Sequence, residues 1–141
     1  SGVLIAHGDA TSGYSLYLDD RRHLVHDLNI GGSHQMLRSP KPVPLGTTNL
    51  GFHMSRDEQS HGGLGQLVID GDVVATQETA NIFFLMISWS GLDIGLDRGT
   101  AVSNYKAPNQ FTGDLIKVTI DLADDQLLDG DGLGRAEMMR E

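Results

Sequence analysis

The stretch "GYSLYLDDRRHLVHDLNI", residues 13–30, decides the fold. Tyr14, Leu16 and Leu18 alternate with Ser15 and Tyr17 up to the charged quartet Asp19-Asp20-Arg21-Arg22. Beyond it, Leu24, His26, Leu28 and Ile30 share one face, with His23, Val25, Asp27 and Asn29 on the other. Successive strand side chains point to opposite sides, so a period of two marks extended chain with one face to bury. Two such runs around a polar turn predict a β-hairpin.

The same pattern recurs outward from this hairpin. The chain opens on Val3-Leu4-Ile5-Ala6, which reads as a strand, and a chain that opens this way is expected to be a piece of a longer polypeptide. Leu50, Phe52 and Met54 alternate with Gly51, His53 and Ser55. Leu67-Val68-Ile69 and Val73-Val74-Ala75 flank Asp70-Gly71-Asp72, where Asp-Gly supplies the positive φ angles of a tight hairpin turn. The apolar run from Ile82 to Ile87 is too short for a helix and predicts a core strand, and Ile116, Val118, Ile120 and Leu122 predict a last one. Between them, Ser39-Pro40-Lys41-Pro42-Val43-Pro44 must be an extended connection, because proline donates no backbone hydrogen bond, and Gly62-Gly63-Leu64-Gly65 reads as the end of the charged loop that starts at Arg56. Short strands at regular spacing, with 18 glycines for turns, predict an all-β antiparallel two-sheet sandwich, jelly-roll-like, over residues 1–122. Residues 123–141 read as an acidic, glycine-containing tail with a short helix near Arg135 to Arg140.

Composition narrows the function. At 141 residues the chain is one domain able to bury its own core. A net charge of -9 argues against nucleic acid, whose affinity comes from Lys and Arg displacing counterions, and against an anionic membrane surface. No apolar run approaches the length of a bilayer span. With no cysteine there is no disulfide and no thiol chemistry, but the compartment stays open.

Motifs that carry chemistry are sparse. His23 and His26 fall on opposite faces of a strand, the other histidines are dispersed, and no His-Glu-x-x-His pattern occurs. There is no Gly-x-Ser-x-Gly nucleophile elbow, and the glycine clusters lack the strand, helix and lysine of a phosphate loop. Asp124, Asp125, Asp129 and Asp131 fail the EF-hand spacing at Leu133 and Arg140. Calcium held by loop carboxylates Asp93, Asp97 and Asp114 remains open, against the plainer expectation of solvated charges guarding strand edges. Trp89 and Tyr105, with Asp97 beside them in sequence, are the candidates for stacking on a ligand such as a sugar ring.

One long stretch carries a resemblance. Gly91-Leu92-Asp93-Ile94-Gly95, Asp97-Arg98-Gly99-Thr100, Val102-Ser103, Tyr105, Pro108 and Phe111-Thr112-Gly113 resemble the C-terminal accessory domain of large bacterial arylsulfatases. Gly2 to Ala6, Gly13 to Tyr17 and Val68 to Gly71 agree, so the likeness extends over nearly all of residues 2–122. More distantly, the chain is similar to laminin-G-like and concanavalin-like sandwiches. The resemblance implies a non-catalytic domain whose partner is an upstream α/β sulfatase domain of the same polypeptide. That parent would hydrolyse sulfate esters with a formylglycine and a bound calcium.

Neither group transfers to this chain. The sulfatase signature needs Cys or Ser two residues before a proline, and those positions hold Arg38, Pro40, Pro42 and Lys106. After the proline run, where the family has a histidine or basic residue, this chain has Thr47-Thr48-Asn49. The expectation is therefore a domain that shapes substrate access without a reaction or cofactor of its own. The alternatives are a carbohydrate-binding module, with or without calcium, and a homo-oligomerisation domain. Residues 96–110 are expected to form an ordered crossover tied down by Tyr105, Pro108 and Phe111.

Overall fold

The hairpin read from residues 13–30 is the middle of the larger sheet. In the computed structural model, which describes residues 1–82 and 90–122, strands β1 (Gly2–Gly8), β2 (Ser12–Leu18), β3 (Leu24–Ile30) and β4 (Ser33–Arg38) run as an antiparallel meander. After a connection through the prolines come β5 (Leu50–Arg56), β6 (Gly63–Ile69) and β7 (Asp72–Thr79), and later the short β8 (Leu92–Ile94). The first sheet has the order β4-β3-β2-β1-β8 and the second β5-β6-β7. There is no helix among the described residues. The chain is thus the all-β antiparallel sandwich that the alternation predicts. Strands β1 to β4 form a four-stranded meander, and β8 returns beside β1 after the chain has passed through the second sheet.

Local chemistry fixes the turns. Asp19 closes the β2–β3 turn: its carboxylate accepts the Arg21 and His23 amides, each at 2.9 Å, and takes the Arg38 side chain at 2.8 Å. Asp70 and Gly71 adopt φ of 48° and 88°, as the Asp-Gly turn requires, and the Asp70 carboxylate accepts the Thr48 and Asn49 amides. Gly31 and Gly32, also at positive φ, turn β3 into β4.

The core between the sheets gathers Leu4, Leu16, Leu18 and Leu24 from the first sheet against Leu67 of the second, with Val43 of the proline connection closing one end. Leu24 and Leu67 are both fully buried. The closest strands across the sandwich are β4 with β7, β4 with β6, and β3 with β6. Among the described residues the shorter sheet is therefore displaced toward β3 and β4, and the side bearing β1 and β8 forms a flank that its strands cover less.

Three expectations change. The first concerns the larger sheet, whose alternation predicts one buried face. Both of its faces are buried: Val3, Ala6, Tyr17 and Val25 pack on the outer side against Val102 and Tyr105 of the crossover. The second concerns the last strand. Residues 115–122 join no ladder among the described residues, and Ile116, Ile120 and Leu122 are exposed while Val118 packs on the core. The third concerns Gly62 to Gly65, read as the end of a loop, where β6 already begins at Gly63. The expected strand through residues 83–87, Trp89, and everything beyond residue 122 lie outside the described residues.

Candidate functional site

The crossover of residues 96–110 is laid across the outer face of the larger sheet by a chain of hydrogen bonds. Gly95 donates its amide to Leu4 at 2.9 Å, and Val3 donates to Asn109 at 2.8 Å. Between these anchors, fully buried Asn29 donates to the carbonyls of Ala10 and Val102 at 3.0 and 3.1 Å and accepts the Gly32 amide. Ser103 reaches the Tyr17 hydroxyl at 3.2 Å. Buried loop backbone must find partners, and here it finds them on strand side chains.

Asp97 and Tyr105, both read as ligand candidates, meet each other. Asp97 is 1% exposed, and its Oδ2 accepts the Tyr105 hydroxyl at 2.6 Å and the Val102 amide at 3.0 Å. The Tyr105 oxygen also lies 3.0 Å from Ser15 Oγ, and its ring packs edge-on against Tyr17, with centroids 4.9 Å apart. Burial, and the carboxylate beside it, push the Tyr105 phenol up from its ordinary value. This pair is a tether with its polar atoms turned inward.

The three carboxylates considered for calcium do not converge. Asp93 is committed to Arg98, accepting its amide at 2.8 Å and its guanidinium at 2.6 Å. Burial works against ionisation there, yet the Arg98 contacts outweigh it and hold the carboxyl below the usual range. Asp97 faces Tyr105, and Asp114 is exposed on the far side of Gly113. No group of three or more acidic or histidine side chains placed to hold a metal ion occurs among the described residues. Asp27, fully buried, holds His34 Nδ1 at 2.6 Å, but its Oδ1 has no hydrogen-bond partner among the described residues, for which the structure offers no account.

A feature that sequence reasoning missed lies on the inner side. A cavity of about 640 Å³ opens at the flank, between β1, β2 and β3, the start of β5, and residues 114–121. Leu4, Leu16, Phe52 and Phe111 make its apolar walls, while Asn49, Thr48, Lys117 and Asp121 stand among its polar lining. His26 sits in it, stacked on Phe52 with centroids 3.4 Å apart and planes 3° from parallel, and Tyr14 stacks on the same imidazole at 6.4 Å. His26 is 6% exposed, and burial lowers its pKa to about 3, so it is neutral at physiological pH. Alternation placed His26 on the inner face. The Phe52 contact across the sheets was not legible, because strand pairing of distant segments leaves no local mark.

The flank itself is apolar. Leu92 and Ile94 of the edge strand β8 are 40% and 49% exposed, and Ile116 and Leu122 are 93% and 73% exposed. Leu115 Cδ2 comes within 3.7 Å of where a Cβ on Gly95 would stand, so this segment starts beside the end of β8.

Fold and site together define a class: an antiparallel sandwich with one sheet sealed by an ordered crossover and one apolar flank. Comparison with protein-family models, curated proteins and solved structures finds no match for the chain.

Proposed function

We propose that the chain is a non-catalytic accessory domain of an arylsulfatase, packed against the sulfatase catalytic domain of the same polypeptide and shaping its substrate entrance. The observation that carries this reading is the apolar flank of β8 and residues 115–122. Exposed aliphatics on an edge strand, and on a segment that starts beside it, favour a surface that another body covers. The motif likeness over residues 91–113 supplies the kind of partner.

The glycan-binding alternative calls on Tyr105 and Asp97, whose polar atoms bond each other and the sheet, so their geometry weighs toward the accessory role. Two measurements test the proposal. The isolated chain is expected to leave an aryl sulfate ester intact; turnover contradicts the assignment. The reading frame upstream is expected to encode Cys/Ser-x-Pro-x-Arg, and a free-standing frame shifts the balance to the binding module.

A further inference from the structure

We propose that His34 and Met36, on the outer face of β4, form a binding site for a soft monovalent metal ion, copper(I), with buried Asp27 positioning the imidazole. The inference goes beyond the accessory role and does not depend on it. The sheet register brings the three side chains together. Met36 lies directly opposite Asp27 in the β3–β4 ladder, and His34 lies opposite Asn29. His34 and Met36 are alternate residues of one strand, so they share a face with about 7 Å between them. His34 Nδ1 nevertheless reaches Asp27 Oδ2 at 2.6 Å. Its ring therefore leans along the strand, away from Asn29 and toward the level of Met36. β4 is the outermost strand of its sheet and both side chains are exposed, so an ion reaches them from solvent.

Asp27 sets the state of the imidazole. It is fully buried, and its Oδ1 is the one buried side-chain polar atom among the described residues with no hydrogen-bond partner. His34 is the only side chain among them that bonds this carboxylate. A positive charge carried on the imidazole therefore offsets a buried anion that has little other support. A carboxylate only accepts, so in the neutral ring the proton sits on Nδ1 and the lone pair on Nε2. Nε2 makes no hydrogen bond among the described residues. A carboxylate behind a histidine in this way is the arrangement that orients metal-bound imidazoles.

Ligand softness selects the ion. A thioether suits copper(I) and not the hard cations calcium and magnesium, and imidazole suits copper as well. Among the described residues no third acidic or histidine side chain joins the pair, which leaves it short of a zinc tetrahedron. Copper(I) is held by as few as two soft donors, and the chain has no cysteine to compete for it. Arg38, the next side chain along this face, is a cation, but it is paired with Asp19 at 2.8 Å.

The test is an NMR titration of the full chain with silver(I), a redox-silent stand-in for copper(I), following the Met36 methyl group and the His34 ring nitrogens. Copper(I) affinity is then measured without oxygen by competition with a chromogenic chelator. Silver(I) is expected to shift both side chains together and saturably, and zinc(II) to leave the Met36 methyl unmoved. Met36→Leu and His34→Gln, both at exposed positions, should each weaken copper(I) binding roughly ten-fold or more. Asp27→Asn keeps both donor atoms; it should weaken binding by about ten-fold and let the other imidazole tautomer appear in the ring-nitrogen spectra. If that buried variant does not fold, the two exposed variants carry the test. Silver(I) shifts confined to other residues, or zinc(II) bound by the same two side chains, overturn the proposal. So does a copper(I) affinity unchanged in Met36→Leu or His34→Gln. An Asp27→Asn chain that folds and binds copper(I) as tightly as the parent overturns the positioning role of Asp27.

Discussion

Tyr105 and Asp97 show how one pair of side chains fixes a loop of fifteen or so residues. A phenol shared between a buried carboxylate and Ser15 is worth most where water is excluded, and removing it strands an acceptor. Tyr105→Phe is expected to destabilise the chain by roughly 1–3 kcal/mol in urea denaturation, with the Val102 amide exchanging faster. His26 makes a second prediction at this scale. Its folded pKa, about 3, lies below the unfolded value of 6.5, so between those limits the unfolded state binds more protons. Stability is therefore intact above the upper limit and falls with acidification, by up to about 1.4 kcal/mol per pH unit. Between about pH 6.5 and 5, above the carboxylate range, the slope of stability against pH should be visibly flatter in His26→Phe. Tyr105 as a tether was legible in the sequence, because an aromatic with a polar tip inside a long loop has to be anchored. The inward turn of Asp97 was not, since a carboxylate on a loop ordinarily faces water.

At the level of elements, the hairpins announced themselves wherever turn chemistry met alternation, as at Asp19 and at Asp70-Gly71. Strand β4 passed unread because Ser33, His34, Gln35 and Arg38 give it little apolar pattern. Its marker was the Gly31-Gly32 pair, both at positive φ. Residues 115–122 make the opposite case. Alternation there says that two faces differ, not that a neighbouring strand is present to receive them. The glycine before this segment is required by contact, since a Cβ on Gly113 would come within 2.8 Å of the Phe111 ring. Amide exchange resolved by residue should find 116–122 fast in the isolated chain and the central strands β1, β2 and β3 slow. Protection of 116–122 equal to that of β2 would contradict the absence of a ladder.

For the molecule as a whole, the larger sheet is a wall with both sides covered, one by the smaller sheet and one by its own crossover. Alternation alone cannot reveal that, because small or polar residues on the outer face, such as Ser15, Asp27 and Asn29, read as solvated until a loop is laid over them. What the fold leaves exposed among the described residues is the apolar flank of β8 and residues 115–122, the surface that the accessory reading assigns to a partner. The most direct measurement is hydrogen exchange on residues 115–122 and β8, in the chain alone and joined to the upstream catalytic domain that the accessory reading proposes. The accessory reading predicts strong protection of both segments only in the joined polypeptide. Identical exchange in the two forms would contradict it.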